Sequence, residues 1–198
     1  MKLEPIEPGY TYHIYNRGNN KQDVFFEERN YKFFMRKMSY YLPIIGDVYA
    51  FCLMRNHYHI VIKIKEKEEL PEKYQIHPWQ VFSNLMNSYV KLVNLTTNRS
   101  GSLFEKNYER KRITTEAYFK ELIIYVHLNP AKHKQFNNYS EYPYSSAVHY
   151  CMDNSFWVKT GYVFDLFGGR ENFWYMHEIR LNRRRDFGET DDLPGWAE

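Results

Sequence analysis

The sequence predicts an α+β fold of the ferredoxin-like, split βαβ type, with an antiparallel sheet, helices on one face of that sheet and one added helix. Two observations support this fold class. Short segments in which apolar residues alternate are bounded by Gly, Pro and Asn, which is typical of strands. Between them, apolar residues recur at helical spacing. The order along the chain is strand, helix, strand, strand, helix, strand and a further helix.

The composition allows one domain of ordinary size and excludes some classes of protein. The 198 residues are 43% hydrophobic with a net charge of +3, and no apolar run is long enough to span a membrane. The N-terminal residues lack the apolar segment of a secretory signal peptide, and Cys52 and Cys151 lie far apart. We therefore expect a cytoplasmic protein without a zinc–cysteine site. The 19% aromatic content fits base stacking or an AT-rich genome, and composition alone leaves both open.

The first half of the chain supplies three strands and one helix. YTYHIYNR alternates and ends at the turn residues Gly18, Asn19 and Asn20. A helix with an apolar stripe follows and is expected to end before Pro43. Two apolar runs separated by Arg55-Asn56 then predict a hairpin. The predicted elements are a strand at 10–17, a helix at 27–41, and strands at 48–54 and 57–65.

The second half supplies two helices and a strand. Pro78 opens a helix, which the sequence Arg99-Ser100-Gly101 breaks. Leu103–Ile113 is predicted as a basic strand. Thr114 or Thr115 is expected to cap a helix that runs to about Leu128 and is stopped by Pro130.

Three segments are predicted at the level of domains. The main domain spans residues 1–150 and contains all the elements above. A C-terminal extension at 151–182 is expected to pack on or near it. Residues 183–198 are expected to form a flexible tail.

The stretch MRNHYHIVIK places two histidines one residue apart in an apolar strand. Because strand side chains alternate, Tyr58, Ile60 and Ile62 share the face that packs on the helices, and His57 and His59 share the other. Imidazoles at that separation can converge on one divalent cation. A histidine pair of this kind is more often surface decoration or a hydrogen-bonded pair, so the pair alone leaves the metal site open.

A second polar stripe lies on the helix before Pro130. Tyr118, Leu122, Tyr125 and Asn129 follow the spacing of one helix face, so a hydroxyl and an amide oxygen lie one turn apart. Pro130 is expected to move Asn129 out of helical geometry. The alternative is that Tyr125 is a core aromatic residue whose hydroxyl reaches the surface.

Five segments in the same order resemble the single-tyrosine HUH transposases of the IS200/IS605 class, most of all the REP-associated tyrosine transposase (RAYT) branch. They are YHIYNRGNN at 12–20, CLMRNHYHIVI at 52–62, GSLFEKNYERKRI at 101–113, YVHLNPAKH at 125–133 and YSEYPYSSAVHY at 139–150. The family commonly has Pro at the position of Arg55 and an aliphatic residue at that of Tyr58. Neither departure removes a reacting group.

The resemblance implies a metal-dependent enzyme that cleaves and rejoins single-stranded DNA at hairpin-associated sites. Tyr125 would be the nucleophile on the added, catalytic helix, and the product would be a 5′-phosphotyrosine intermediate. His57, His59 and Asn129 would bind Mg²⁺ or Mn²⁺. His127 lies about 200° around the helix from Tyr125 and is a poor candidate for the general base.

Basic residues near the predicted site are candidates for contacts with DNA phosphates. They are Arg17, Arg55, Lys63, Lys106, Arg110, Lys111 and Arg112. Any one of them can equally belong to a solvated basic face.

Two other functions and the oligomeric state stay open at this stage. A domesticated protein could bind hairpin DNA without cleaving it, and an unrelated phosphoesterase could use water as its nucleophile. The resemblance allows two arrangements. The shorter IS200/IS605 enzymes form dimers in which each chain donates its tyrosine helix to the other, whereas REP-associated relatives resemble monomers whose helix lies on their own sheet. The length of the chain favours a monomer, with a homodimer as the alternative.

Overall fold

The computed structural model describes residues 4–136, 138–152 and 156–187, which form one four-stranded sheet and seven α-helices. The strands are β1 (Thr11–Arg17), β2 (Gly46–Met54), β3 (His57–Ile64) and β4 (Glu109–Arg112). The helices are α1 (Glu28–Ile45), α2 (Glu72–Gln75), α3 (Trp79–Thr97), α4 (Glu116–Lys132), α5 (Ala147–Met152), α6 (Thr160–Leu166) and α7 (Arg170–Phe187).

The strand order is β2-β3-β1-β4, and every neighbouring pair is antiparallel. Strand β3 therefore lies between β1 and β2, the two strands that α1 connects, which is the split βαβ arrangement. The predicted α+β fold class is confirmed. The tight turn at Arg55-Asn56 joins β2 to β3, as predicted.

One face of the sheet packs on α1 and α3. The ring of Tyr58 lies 5.5 Å from that of Phe34 on α1, and Phe34 lies 5.0 Å from Tyr89 on α3, measured between centroids. Ile60 and Ile62 are fully buried on the same face of β3. This is the apolar face that the alternation along β3 predicts.

Helix α4 packs on the other face, against β2, and α7 covers its outer side. Thr115 caps its N-terminus, because the hydroxyl oxygen accepts a hydrogen bond from the Tyr118 N–H at 3.2 Å. Between α4 and α7, His127 Nδ1 lies 3.0 Å from His177 Nε2, and His127 Nε2 lies 2.9 Å from the Ser146 hydroxyl. These buried contacts fix α4 against the rest of the chain.

Three element ends differ from the sequence predictions. Both Pro43 and Pro130 lie inside helices, so α1 continues to Ile45 and α4 to Lys132. A proline removes only its own N–H, and in a last turn the remaining residues can keep helical dihedrals if they are packed. Ile45 is fully buried, which supplies that packing. Strand β4 covers only four residues of the predicted 103–113, because Phe104 makes an isolated bridge to Gly18 before the chain leaves the sheet.

The C-terminal region is more helical than the sequence indicates. Helix α7 runs through Phe187 and so includes the first five residues of the segment 183–198 that is predicted as a tail. The rest of that predicted tail, residues 188–198, lies outside the described residues. The predicted domain boundary at residue 150 falls inside α5. Among the described residues, no helix combines the length and the apolar character that crossing a membrane requires.

Candidate active site

The two histidines of β3 lie beneath α4, as the strand alternation predicts. Their ring centroids are 5.1 Å apart. His59 is fully buried and His57 is 8% exposed. On α4, Asn129 is fully buried as well, and its side chain faces His57. The structure therefore brings together the three residues that the resemblance gives as metal ligands.

Hydrogen bonds around His57 fix which of its ring nitrogens carries the proton. The Asn56 amide nitrogen donates to the Lys21 carbonyl at 3.2 Å, so the Asn56 oxygen faces His57 Nδ1, at 2.7 Å. That oxygen can only accept, and a neutral His57 must therefore donate from Nδ1. The Nε2 atom keeps its lone pair.

The Nε2 lone pair of His57 faces a second acceptor. The Asn129 amide nitrogen donates to the Tyr125 carbonyl at 3.1 Å, which turns the Asn129 oxygen towards His57 Nε2, at 3.4 Å. Two acceptors that face one another at this distance repel unless a cation or a proton lies between them. The donor set thus fits a divalent cation.

His59 is held by a residue that the sequence analysis did not select. His13 on β1 is fully buried, and its Nε2 lies 3.1 Å from His59 Nδ1. When His59 donates from Nδ1 to His13, its own Nε2 lone pair is available to a metal. A metal-bound histidine is usually oriented in this way by a partner on its other nitrogen.

The imidazoles are neutral because they are buried. The pKa of His57 is lowered to about 4, mainly by burial and also by the neighbouring His133. Burial also lowers the pKa of His59 well below the ordinary value and that of His13 to about 3, with Lys111 as a further cause for His13. A neutral imidazole is the form that binds a metal, so these histidines do not have to lose a proton before a metal binds at neutral pH.

Tyr125 lies against the histidine pair. Its ring centroid is 5.6 Å from that of His59, in an edge-to-face arrangement, and the residue is 7% exposed. Helix α4 continues unbroken through Asn129, contrary to the expected distortion before Pro130. Tyr125 and Asn129 therefore keep the one-turn spacing that points both side chains at β3.

Two residues at the C-terminal end of α4 also surround the site, and sequence reasoning missed them. The Lys132 ammonium lies 5.3 Å from the centre of the Tyr125 ring. The His133 ring lies 5.1 Å from that of His57. Both follow Tyr125 by two helical turns, a spacing that would have indicated them had α4 not been expected to end at Leu128.

The predicted DNA-binding residues divide between the two faces. In the strand register, Arg17 lies opposite His57 and Lys111 opposite His13, so both are on the histidine face. Lys63 is on that face of β3 too. Arg55 lies at the hairpin turn, where it pairs with Asp23, and Lys106 lies in the exposed segment before β4.

Arg110 and Arg112 lie on the opposite face of the sheet from the histidines. Arg110 contacts the ring and hydroxyl of Tyr108. Arg112 pairs with Glu4 and Glu7. The structure therefore does not bring these two arginines to the candidate site, and their contact with DNA stays a prediction.

His127 points away from the site, into the interface between α4 and α7. Its two ring nitrogens contact His177 and Ser146, and burial lowers its pKa well below the ordinary value. It is not placed to take a proton from Tyr125. Among the described residues, no three His, Cys, Asp or Glu side chains form a metal-binding cluster.

Fold and site together define a class: an α+β protein in which a histidine pair on a central strand faces a tyrosine on an added helix. A solved structure, described as a REP-associated tyrosine transposase bound to a REP hairpin, is similar in fold. It shares 13% sequence identity with this chain at a TM-score of 0.57, over 77% of this chain and 84% of that one. The resemblance predicted from the five sequence segments is thereby confirmed at the level of the fold. No protein-family model matches the sequence, and no curated protein matches it.

Proposed function

We propose that the protein is a metal-dependent transposase that cleaves and rejoins single-stranded DNA at hairpin-associated sites through a 5′-phosphotyrosine intermediate. The observation that carries the proposal is the meeting of Tyr125, His57, His59 and Asn129 from two distant parts of one chain. Tyr125 touches His59, and the Asn129 oxygen faces the lone pair of His57.

The chemistry is an in-line displacement at phosphorus. The Tyr125 oxygen forms a bond to the scissile phosphorus as the bond from phosphorus to the 3′ oxygen breaks. The phenol proton passes to solvent, and the departing 3′ oxygen takes one up. Because the phosphodiester energy is kept in the tyrosine ester, a 3′-hydroxyl can later reverse the step and rejoin strands.

The three candidate metal ligands are uncharged, which favours an anionic substrate. His57, His59 and Asn129 would hold Mg²⁺ or Mn²⁺, which polarises a non-bridging phosphate oxygen. None of these three side chains carries a charge, so they would leave the full charge of the ion to attract a phosphodiester. Arg17, Lys63 and Lys111 lie on the same face of the sheet, and Arg17 is paired there with Glu105.

The proposal is tested by trapping the covalent product. Randomised single-stranded and stem-loop oligonucleotides carrying a 3′ label are incubated with the protein and Mn²⁺, then denatured. We expect label to stay on the protein, and none to stay on Tyr125→Phe, which should still bind DNA. Label placed at the 5′ end should be released. Tyr118→Phe, on the same helix, is the matched control and should retain adduct formation.

Two results would favour the other functions. Binding without any adduct, with both Mg²⁺ and Mn²⁺, would favour a DNA-binding protein that no longer cleaves. Hydrolysis that persists in Tyr125→Phe would favour a phosphoesterase with a water nucleophile.

The same geometry leads us to propose a monomer as the active unit. Helix α4 lies on the sheet of its own chain, so a single copy supplies the nucleophile and all three candidate ligands. Light scattering should give a mass close to 24.2 kDa with adduct formation intact. A dimer that loses activity on dilution to monomer would contradict this.

A further inference from the structure

Lys132 differs from Lys120, the other lysine of α4, because its ammonium forms no ion pair within the described part of the chain. Its ammonium lies over the Tyr125 ring, 5.3 Å from the ring centre, and the residue is half-buried. Lys120, on the same helix, pairs instead with Glu116 at 2.7 Å.

The ammonium lies close to the candidate ligands as well as to the tyrosine. The Tyr125 ring that the ammonium covers lies 5.6 Å from the His59 ring, measured between centroids. A divalent ion on those ligands would repel Lys132. An anion that contacts the ion and the ammonium together would relieve that repulsion, and the phosphate attacked by Tyr125 is such an anion.

We propose that Lys132 is a further catalytic residue, whose ammonium binds a non-bridging oxygen of the scissile phosphate beside Tyr125. This inference rests on the proposed strand transfer. As the phosphorus gains its bond to the tyrosine oxygen and loses its bond to the 3′ oxygen, negative charge grows on the non-bridging oxygens. Lys132 stabilises that charge as an electrostatic group and transfers no proton.

Binding measurements test the contact without any cleavage. In a Tyr125→Phe background, affinity for a randomised single-stranded oligonucleotide pool is measured over a range of salt concentrations. Each phosphate contact contributes about 0.7 to the slope of log affinity against log salt. We expect Lys132→Met to reduce the slope by about that amount, and Lys132→Arg to keep it. Lys120→Met, whose charge is already paired, should leave the slope unchanged.

The rate of adduct formation then shows whether the phosphate that Lys132 contacts is the scissile one. With Tyr125 intact, Lys132→Met should slow single-turnover adduct formation by about a hundredfold beyond its effect on binding, and Lys132→Arg should recover most of the rate. An unchanged salt slope, or a rate that falls only in proportion to binding, would overturn the proposal. If the wild-type protein forms no adduct, strand transfer fails as a function, and the salt slope still decides whether Lys132 contacts DNA phosphate.

Discussion

The two faces of strand β3 bury different kinds of side chain. On the face towards α1 and α3, Tyr58, Ile60 and Ile62 pack among aromatic rings. On the face towards α4, His57 and His59 are buried as well, but each has a polar neighbour from another element, Asn129 of α4 for His57 and His13 of β1 for His59. Burying polar groups costs stability unless they are partnered, whereas burying apolar ones stabilises the fold. The difference indicates that one face holds the fold together and the other is arranged for chemistry.

The largest difference between activity and stability is expected when a histidine of the α4 face is replaced. His57→Ala should lower the rate of Mn²⁺-dependent adduct formation by about a thousandfold or more, since a bound metal contributes several kcal/mol to charge stabilisation. Its free energy of unfolding should change little without metal. Single-turnover assays and urea denaturation measure the two quantities. A rate within tenfold of wild type would remove His57 from the site.

The helix face should respond in the opposite way. Ile60→Ala leaves a cavity in the core and should lower the free energy of unfolding by about 2–5 kcal/mol, measured by urea denaturation. The matched control is Tyr58→Phe on the same face. The Tyr58 hydroxyl is buried without a hydrogen-bond partner among the described residues, so its removal should cost nothing and should leave adduct formation intact. Loss of adduct formation in Tyr58→Phe would contradict the conclusion that the face towards α1 and α3 only stabilises the fold.

A smaller effect is expected at His13, which contacts His59 and not the substrate. His13→Ala should weaken Mn²⁺ binding by about 10–100-fold through misorientation of His59. Calorimetric titration measures this directly. His77→Ala, an exposed histidine, provides the comparison and should bind Mn²⁺ as the wild-type protein does. Equal affinity in His13→Ala would show that β1 does not orient the site.

The smallest effect is expected in the pH dependence of stability, through the buried pair of His127 on α4 and His177 on α7. Burial lowers the pKa of His177 to about 4, against 6.5 in the unfolded chain. Between those values the unfolded chain binds the extra proton, so the fold loses stability as the pH falls from 6.5 to 4. One histidine contributes at most about 1.4 kcal/mol per pH unit. The slope of unfolding free energy against pH should be shallower in His177→Gln than in the wild-type protein.

Local periodicity predicted most of what the site needs. Alternation along β3 placed His57 and His59 opposite the apolar face, and helical spacing placed Tyr125 and Asn129 on one stripe. What the sequence could not show were contacts between distant segments. Nothing in the sequence around His13 indicates that it meets His59, because that contact depends on the register of β1 against β3.

The helix ends were predicted wrongly for a physical reason. Pro130 was expected to stop α4, and this hid Lys132 and His133 from the site. A proline breaks one backbone hydrogen bond, but here the following residues remain helical. Whether a helix continues past a proline is decided by tertiary packing, which the local sequence does not contain. The same applies to α7, whose His177 packs on His127 of α4.

The most direct test of the account is to locate the DNA on the protein. Trypsin cleaves after Lys120 and Lys132, so the peptide 121–132 contains Tyr125 and no other tyrosine. After reaction with single-stranded DNA and Mn²⁺, then nuclease and trypsin digestion, mass spectrometry should find a 5′-phosphonucleotide on that peptide alone. An adduct on another peptide, such as the one that contains Tyr118, would contradict the assignment of the nucleophile.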